Sequence, residues 1–240
     1  MITSDRITAD PYDLLAHYAL GDMPGYVGEA GSPVRWLCEP HRGVHLLGEI
    51  AVPSGQRRYV FSPKFEFRID AAFADVVRAC ADREQTWILP ELIDGYCRLH
   101  EMGFAHSYEA WQDGRLVGGC FGVHIGAYAS VESMFHRVSH ASKAAYGRAL
   151  THLKARGFSL VDSNPVKDAS RNYGEEWVPR WKFDGLLRHA IERPTSIADG
   201  GRAPVLPPRV RHLLPLRRMV RKVSERIAGA PRGRVSEGGA

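Results

Sequence analysis

The pattern of apolar and polar positions changes about 70 residues into the chain. Before this point the pattern is short and irregular. Residues 10–21 predict a short amphipathic helix with Asp10 as its cap. Residues 33–50 predict two short strands around a turn, and residues 57–70 alternate around two phenylalanines. The first part of the chain therefore predicts a small α/β unit.

A more regular pattern follows. The predicted elements are a helix over residues 70–84, a helix over 90–103, two strands within 106–126 joined by an Asp113-Gly114 turn, a strand over 127–135, a helix over 140–156 that Ser139 can cap, and a strand over 158–163. The strand–helix–strand succession predicts a right-handed parallel crossover. This order is typical of the GNAT acyltransferase fold, and the expected class is α+β.

The charge is distributed unevenly. From residue 200 onward the chain has ten basic and two acidic residues, which leaves 22 basic and 25 acidic residues in the remainder. Apolar positions recur at helical spacing within residues 207–229, so this basic segment predicts an amphipathic helix. It can contact nucleic-acid phosphates, lie on a membrane surface, or dock on the body of the protein. Its Pro and Gly content also predicts partial disorder.

Composition excludes several classes of protein. No run of about 18 apolar residues occurs, so no membrane span is expected. The first 15 residues have no apolar core of a secretory signal. The four cysteines are scattered without the spacing of zinc ligands, which predicts reduced thiols, no metal site and a cytoplasmic protein.

The junction between the strand over 127–135 and the following helix indicates whether the protein can use acyl-CoA as an acyl donor. An acyl-CoA donor needs glycines there, because free backbone N–H groups must approach a pyrophosphate at the helix N-terminus. This chain has Arg137 but places Val138, Ser139 and His140 after it. The sequence therefore argues against a CoA donor.

Three segments carry a resemblance to a known family. They are residues 86–126, the ESMF motif with its following helix at 132–145, and the LVDSN segment at 160–164. Together they resemble the leucyl/phenylalanyl-tRNA–protein transferases, over a stretch from about Phe73 to Phe183. The resemblance implies a GNAT-like transferase domain packed on a smaller N-terminal domain. The expected domains are residues 1–72, residues 73–195, and a basic tail over 196–240.

The resemblance also implies an activity. Such an enzyme transfers Leu or Phe from aminoacyl-tRNA to the α-amine of a protein that begins with Arg or Lys, which marks that protein for degradation. The ester donor is already activated, so no cofactor is expected. A monomer is expected. The same chemistry on a small-molecule amine, or a non-catalytic tRNA-binding relative, stays open as an alternative.

The resemblance implies three catalytic residues. Glu132 matches the glutamate of ESMF, which lies near the reacting groups in the family. The family has Asp-Cys-Gln at the end of the next strand, where this chain has Asp162, Ser163 and Asn164. Glu132 and Asn164 are expected to hold the acceptor amine or the ester, and Asp162 to orient Asn164 or receive the proton. The alternative for Glu132 is a structural hydrogen-bond network.

The substrate-binding positions follow from the same comparison. Trp87 matches a tryptophan near the terminal adenosine and the acyl group, where an aromatic face stacks on a base. Met134 matches a methionine of the apolar aminoacyl pocket, and Ser133 precedes it in the motif. Cys120 and Ala129 replace larger family residues, which predicts either a wider pocket or compensating repacking. The alternative for Trp87 is an ordinary core residue.

The chain differs from the family pattern at two further positions, and it has a basic cluster near residue 60. Val131 replaces a family glycine and Ala169 a family histidine, so the chain is expected to be a divergent member. The residues expected to contact the tRNA acceptor stem are Arg57, Arg58 and Lys64. A solvated strand face is the alternative for these three side chains.

Overall fold

The computed structural model describes residues 2–26, 32–48, 50–164, 173–212 and 214, with side chains from residue 7 onward. The elements are β1 (Ile2–Arg6), α1 (Pro11–Ala19), β2 (Met23–Tyr26), β3 (Val34–Leu37), β4 (His41–Leu46), α2 (Ser54–Val60), β5 (Glu66–Ile69), α3 (Phe73–Ala81), α4 (Pro90–Glu101), β6 (Ala105–Gln112), β7 (Arg115–Ile125), β8 (Tyr128–His136), α5 (Ala141–Ala155), β9 (Leu160–Asp162), β10 (Glu176–Pro179) and α6 (Arg180–Ile191). None of the helices in this part of the chain is both long and apolar enough to cross a membrane.

The strands form two sheets. β1, β3 and β2 make a small antiparallel sheet, and the larger sheet has the order β10-β4-β9-β8-β7-β6-β5. Among the described strands of the larger sheet, only β8 and β9 pair in parallel. The helix α5 connects these two strands, which is the crossover that the sequence predicts. The α+β class is therefore confirmed. β4 and β5 come from the first 72 residues and join the larger sheet, while the domain boundaries stay a prediction.

Local sequence signals explain the hairpin. β6 and β7 are antiparallel neighbours joined at Asp113 and Gly114, whose φ angles are 51° and 70°. Two consecutive positive φ angles are what a type I′ turn needs, and Asp-Gly adopts them readily. The turn brings β7 alongside β6 and so positions the central strands of the larger sheet.

Two local predictions are wrong. α5 is capped at His140 (φ 71°) and not at Ser139, because the Ala141 amide donates to the Val138 carbonyl at 3.1 Å in place of a serine side chain. Residues 57–60 are helical and not part of an alternating strand. Arg148 Nε donates to the carbonyl of Val60 at 2.6 Å, so a side chain from α5 satisfies the end of α2.

The two faces of the larger sheet pack against different helices. Phe121 and Tyr128 belong to a core cluster that also contains side chains from α1, α3, α4 and α6. Cys120 and Ala129, one position away along each strand, belong to a second cluster with side chains from α5. We call these the α4 face and the α5 face. Neighbouring residues along β7 and β8 therefore pack into different apolar clusters.

A β-bulge in β8 contains Glu132. Phe121 pairs with Ser133 and Gly122 pairs with Val131, so Glu132 is an extra residue between two paired positions. Such bulges bend a strand and redirect one side chain. Gly122 lies beside this bulge, and a Cβ there would overlap the carbonyl of Ser130.

We expect Gly122→Ala to lower the free energy of unfolding, at or above the upper end of the ~1–3 kcal/mol range for overpacked sites. The backbone of β7 or β8 would have to move to accept the methyl group. Gly185→Ala is the matched control, because nothing lies within 4 Å of a Cβ at that helical position. Denaturant unfolding of both variants measures the difference, and equal midpoints for both would contradict the close approach at the bulge.

Candidate active site

The strands β8 and β9 separate after a short parallel pairing. Their ladder ends at Ser130 and Asp162, while β8 continues to His136. Asn164 bridges the gap, because its Nδ2 donates to the carbonyl of Val131 at 3.1 Å. We call this point, formed by Ser130, Val131, Asp162 and Asn164, the fork. The fork brings a carboxylate, an amide and a hydroxyl together inside the larger sheet.

A buried ion pair fixes one side of the fork. Arg42 on β4 and Asp162 on β9 are both fully buried. Arg42 Nε donates to Asp162 Oδ1 at 3.3 Å, and Nη2 contacts Oδ2 more closely. The Tyr128 hydroxyl also donates to Oδ2, at 3.1 Å. Burial opposes the charge of Arg42, but the Asp162 carboxylate raises the Arg42 pKa overall.

The Asn164 amide is oriented from both ends. Its Oδ1 accepts from Arg42 Nη2 at 2.7 Å, and its Nδ2 donates to Val131 as described above. Its backbone N–H donates to Asp162 Oδ1 at 3.0 Å. The φ of 62° lies in the left-handed region, which Asn tolerates better than most residues. Asp162 and Arg42 therefore hold Asn164 in a single orientation.

Glu132 lies on the other side of the fork with only 4% of its surface exposed. The Ser130 hydroxyl donates to its Oε1. Burial raises the Glu132 pKa to about 7, while the hydroxyls of Ser130 and Tyr18 favour the ionised form. The carboxyl group can thus lose or accept a proton near neutral pH.

The ionisable side chains of Glu132 and Arg42 each have one polar atom that makes no geometrically acceptable hydrogen bond to a described residue. These atoms are Glu132 Oε2 and Arg42 Nη1, and both are buried. One is an acceptor and the other a donor. A buried polar atom without a partner is costly, so such atoms are typical of sites that complete their hydrogen bonds with substrate.

Tyrosines connect the glutamate to Trp87. The Tyr18 hydroxyl lies 2.5 Å from the Tyr96 hydroxyl, and both phenols are fully buried. The half-buried Trp87 contacts Tyr96 edge-on, with ring centroids 6.3 Å apart. Trp87 therefore lies on the α4 face, in the same aromatic group that surrounds Glu132. Ser133 is also buried, and its Oγ accepts from Arg83 Nη2 at 3.2 Å.

The three predicted pocket residues lie on the α5 face. Cys120 and Met134 are directly opposite each other on β7 and β8. Ala129 and Val131 join them in the second core cluster, so the sheet separates these side chains from Glu132. Burial raises the pKa of the Cys120 thiol, which keeps it protonated.

The predicted basic cluster is exposed and partly helical. Arg57 and Arg58 lie on α2, and Lys64 follows it before β5. Arg58 packs over Tyr59 with 4.6 Å between the guanidinium carbon and the ring centroid. The structure therefore places all three cations at the surface, and α2 packs against α5.

The tail contacts the body where it begins. Residues 208–212 are helical. Val210 and Leu214 are buried in the larger core cluster, and the Arg209 guanidinium lies over the Tyr12 ring. The remainder of the predicted tail helix, and Ala169, lie outside the described residues. Docking on the body thus accounts for the first turns of this segment.

Several site residues were not among the sequence predictions. Arg42 lies in a segment with only loose family similarity, and its pairing with Asp162 spans 120 positions in the chain. The available signal was a charged arginine within a predicted strand. The other unpredicted residues are Tyr18, Tyr96, Tyr128 and Ser130.

One group of side chains has the composition of a metal site. Ligating atoms of Asp70, His100 and His106 lie within 4.8 Å of one another. His106 Nδ1 is 2.7 Å from Asp70 Oδ2, and His100 Nδ1 is 2.8 Å from the carbonyl of Ala105. Since these atoms already have protein partners, the group acts as a hydrogen-bond network between β5, α4 and β6.

The raised pKa of Glu132 predicts a dependence of stability on pH. The carboxyl of the unfolded chain has the ordinary glutamate pKa of 4.5, whereas the pKa of the folded one is about 7. Between these values the unfolded state loses its proton first, so stability falls as pH rises and levels off above the folded pKa. The loss is on the order of 3 kcal/mol.

We therefore expect Glu132→Gln to remove most of this fall between pH 4.5 and 7. Urea unfolding of the wild type and the variant across that range measures it. An identical pH dependence in both proteins would contradict a buried glutamate with a raised pKa.

Comparison with known proteins agrees with the motifs at the fork. The sequence model for leucyl/phenylalanyl-tRNA protein transferase matches residues 44–188. The chain is 40% identical over 188 residues to the leucyl/phenylalanyl-tRNA–protein transferase of Salinibacter ruber, covering 78% of this chain and 82% of the relative. It is also 40% identical over 189 residues to the leucyl/phenylalanyl-tRNA–protein transferase of Aromatoleum aromaticum, covering 77% of this chain and 79% of the relative.

The structural similarity is weaker for one solved structure. The structure of L-PGS from Bacillus licheniformis aligns with a TM-score of 0.44 and 11% identity, covering 64% of this chain and 65% of that one. A likeness of this size supports no argument about the fold. The sequence comparisons are sufficient by themselves, since the matched family region includes the whole fork and most of the larger sheet. The chain belongs to the leucyl/phenylalanyl-tRNA–protein transferase family.

Proposed function

We propose that the protein transfers Leu or Phe from aminoacyl-tRNA to the N-terminal α-amine of proteins that begin with Arg or Lys. The observation that carries this proposal is the buried Glu132 carboxyl, with a pKa of about 7, beside the Arg42–Asp162–Asn164 network. Its Oε2 makes no geometrically acceptable hydrogen bond to a described residue. Family membership supplies the donor and the acceptor class.

The reaction needs a neutral amine and an activated ester. The α-amine of a peptide has a pKa of about 7.7–8.0, so part of it is neutral at physiological pH. Its nitrogen attacks the ester carbonyl, and ionised Glu132 accepts the proton that the nitrogen loses. Arg42 Nη1 is a donor for the oxyanion that forms. The intermediate then collapses to an amide as its C–O bond breaks, and the 3′ oxygen of the tRNA leaves with the proton that Glu132 accepted, which restores the carboxylate.

The other two predicted catalytic residues act by position. Both oxygens of Asp162 already accept hydrogen bonds from Arg42, Tyr128 or Asn164, so we assign Asp162 to orienting its neighbours. Asn164 presents a fixed amide at the fork and holds the ester or the amine. Fixed placement of reactants supplies roughly 7–11 kcal/mol in well-oriented systems, which makes a strong base unnecessary.

We extend the proposal to the fold and the acyl pocket. A GNAT-like arrangement is supported by the β8–α5–β9 crossover and by the separation of the two parallel strands at the fork. The aminoacyl side chain enters between the strands toward Cys120, Ala129 and Met134 on the α5 face. Trp87 stacks on the terminal adenosine, and Ser133 lines the entrance.

The basic cluster gives a salt-dependent prediction. We expect the triple variant Arg57→Gln/Arg58→Gln/Lys64→Gln to flatten the slope of log affinity against log salt for charged tRNA by about 2 to 3 units, since each duplex phosphate contact contributes roughly 0.9. Fluorescence anisotropy from low to moderate salt measures the slope. Arg188→Gln is a single-charge control on α6, and a triple variant with the wild-type slope would remove the cluster from the tRNA interface.

A transfer assay tests the proposal. The protein is mixed with tRNAs that carry different labelled amino acids and with peptides that begin with Arg, Lys or Gly. We expect labelled products from the Leu and Phe donors on the Arg and Lys peptides, without added metal, nucleotide or CoA. Products on free small amines but on none of the peptides would contradict the proposed acceptor, and binding of charged tRNA without any product would contradict catalysis.

A further inference from the structure

Arg83 is anchored beside the bulge of β8, and the mechanism above does not use it. It lies in the connection between α3 and α4, which also contains Trp87. Its Nη2 donates to Ser133 Oγ at 3.2 Å and to the carbonyl of Met134 at 3.0 Å. These two residues directly follow Glu132 in β8. The guanidinium is therefore attached to the motif that carries the proposed base.

The anchored guanidinium lies on the face of the larger sheet that Glu132 and Trp87 occupy. Ser133 pairs with Phe121, which belongs to the core cluster of the α4 face. Directly opposed residues on two antiparallel strands point to the same side of a sheet, so the Ser133 hydroxyl is on the α4 face. Trp87 packs against the same cluster, and the tyrosine whose hydroxyl favours ionised Glu132 belongs to it. Arg83 thus shares a face with both groups.

Three of the five N–H groups of this guanidinium remain free within the described part of the chain. Arg83 is exposed, whereas Ser133, to which it is anchored, has only 4% of its surface exposed. Asp82 and Glu84 flank Arg83, but neither forms an ion pair with it. A guanidinium that is held in place and has free donors facing solvent is suited to bind an anionic group.

The charges of the two substrates decide which of them Arg83 contacts. A protein that begins with Arg or Lys brings a cationic side chain, which a guanidinium repels. The aminoacyl-tRNA brings a negatively charged phosphodiester directly before its terminal adenosine. Trp87, which we assign to stacking on that adenosine, is four positions after Arg83 in the same connection. Arginine is well matched to phosphate oxygens, and phosphate contacts fix the register of a nucleic acid on a protein.

We infer that Arg83 binds the last phosphodiester of the donor tRNA, on the 5′ side of the terminal adenosine, and thereby positions the ester. This inference rests on the proposed function. The phosphate and the ester are attached to the same ribose, so holding one restricts the place of the other. Arg83 touches no reacting atom, and its contact is separate from the duplex contacts that we assign to Arg57, Arg58 and Lys64.

The test compares two donors that differ in a single charge. Both are CpA dinucleotides that carry Phe on the terminal ribose, one with a phosphodiester linkage and one with an uncharged methylphosphonate linkage. Steady-state transfer to an Arg peptide is measured with wild type, Arg83→Gln and Arg78→Gln. We expect the KM of wild type to be about 10- to 100-fold lower for the phosphodiester donor. Arg83→Gln should remove this preference with little change in kcat, because the contact is equal in ground state and transition state.

Two further variants and a salt series serve as controls. Arg78→Gln removes the same charge from the neighbouring helix α3, where Arg78 pairs with Asp75 at 3.2 Å, and should keep the wild-type preference. Arg83→Lys should retain part of the preference, because the charge remains while the planar guanidinium is lost. With charged tRNA, Arg83→Gln should flatten the slope of log affinity against log salt by roughly 0.7, the value for one single-stranded contact.

Two results would overturn the inference. Equal KM values of wild type for the two donors would show that no cation contacts this phosphate. Equal losses on both donors in Arg83→Gln, with the preference retained, would make Arg83 a structural clamp on β8. Absence of any transfer by wild type would instead contradict the proposed function. Equilibrium binding of the two dinucleotides to wild type and Arg83→Gln then decides the phosphate contact independently.

Discussion

Asp162→Ala is expected to lower the free energy of unfolding by about 3–5 kcal/mol and to abolish transfer. The variant leaves the Arg42 guanidinium fully buried without its carboxylate, and the Tyr128 hydroxyl without its acceptor. It also removes the acceptor for the backbone N–H of Asn164, so the amide at the fork loses its fixed orientation. Urea unfolding and single-turnover transfer measure the two effects.

A double variant separates stability from catalysis. Replacing both members of a buried ion pair by apolar residues is often neutral or stabilising, whereas removing one member is not. Arg42→Met/Asp162→Leu should therefore recover most of the stability that Asp162→Ala loses, while transfer stays absent. Substantial transfer by the double variant would show that the ion pair does not organise the site.

Elements with local signals could be predicted from the sequence. The Asp113-Gly114 dipeptide predicts the β6–β7 hairpin, because it adopts the required positive φ angles readily. The parallel crossover could also be predicted. Its signals are the apolar strand around Glu132, the helix that follows, and the strand that ends at Asp162. The motif at 132–135 then placed a carboxylate at the end of the parallel ladder, which the structure brings together with Asp162 and Asn164.

Features that depend on distant contacts could not be predicted. Arg42 enters the site only because β4 lies beside β9 in the larger sheet, an order that no local pattern specifies. Tyr18 and Tyr96 come from two helices whose packing brings their hydroxyls together. The start of α5 was missed because a backbone carbonyl replaces the expected serine cap. Tertiary contacts therefore supply what local signals lack for Arg42 and the two tyrosines, whereas a local backbone hydrogen bond sets the start of α5.

Glu132→Gln is expected to slow transfer by about 10²- to 10⁴-fold, the usual contribution of a positioned acid or base. Gln keeps the size of the side chain and a hydrogen-bonding oxygen but cannot accept the proton of the attacking amine. In wild type, the rate should rise with pH through the Glu132 pKa of about 7, because only the carboxylate is active. In the variant, only the titration of the acceptor amine, with a pKa of about 7.7–8.0, should remain.

The most direct measurement is single-turnover transfer from Phe-tRNA to an Arg peptide, followed across pH 6–9 for wild type and Glu132→Gln under identical conditions. The variant's fold is checked by its unfolding transition at each pH. We expect a wild-type profile with two rising limbs, one near pH 7, and a slower variant that lacks the limb near pH 7. Equal rates and superimposable profiles would contradict the assignment of Glu132 and the fork as the site of transfer.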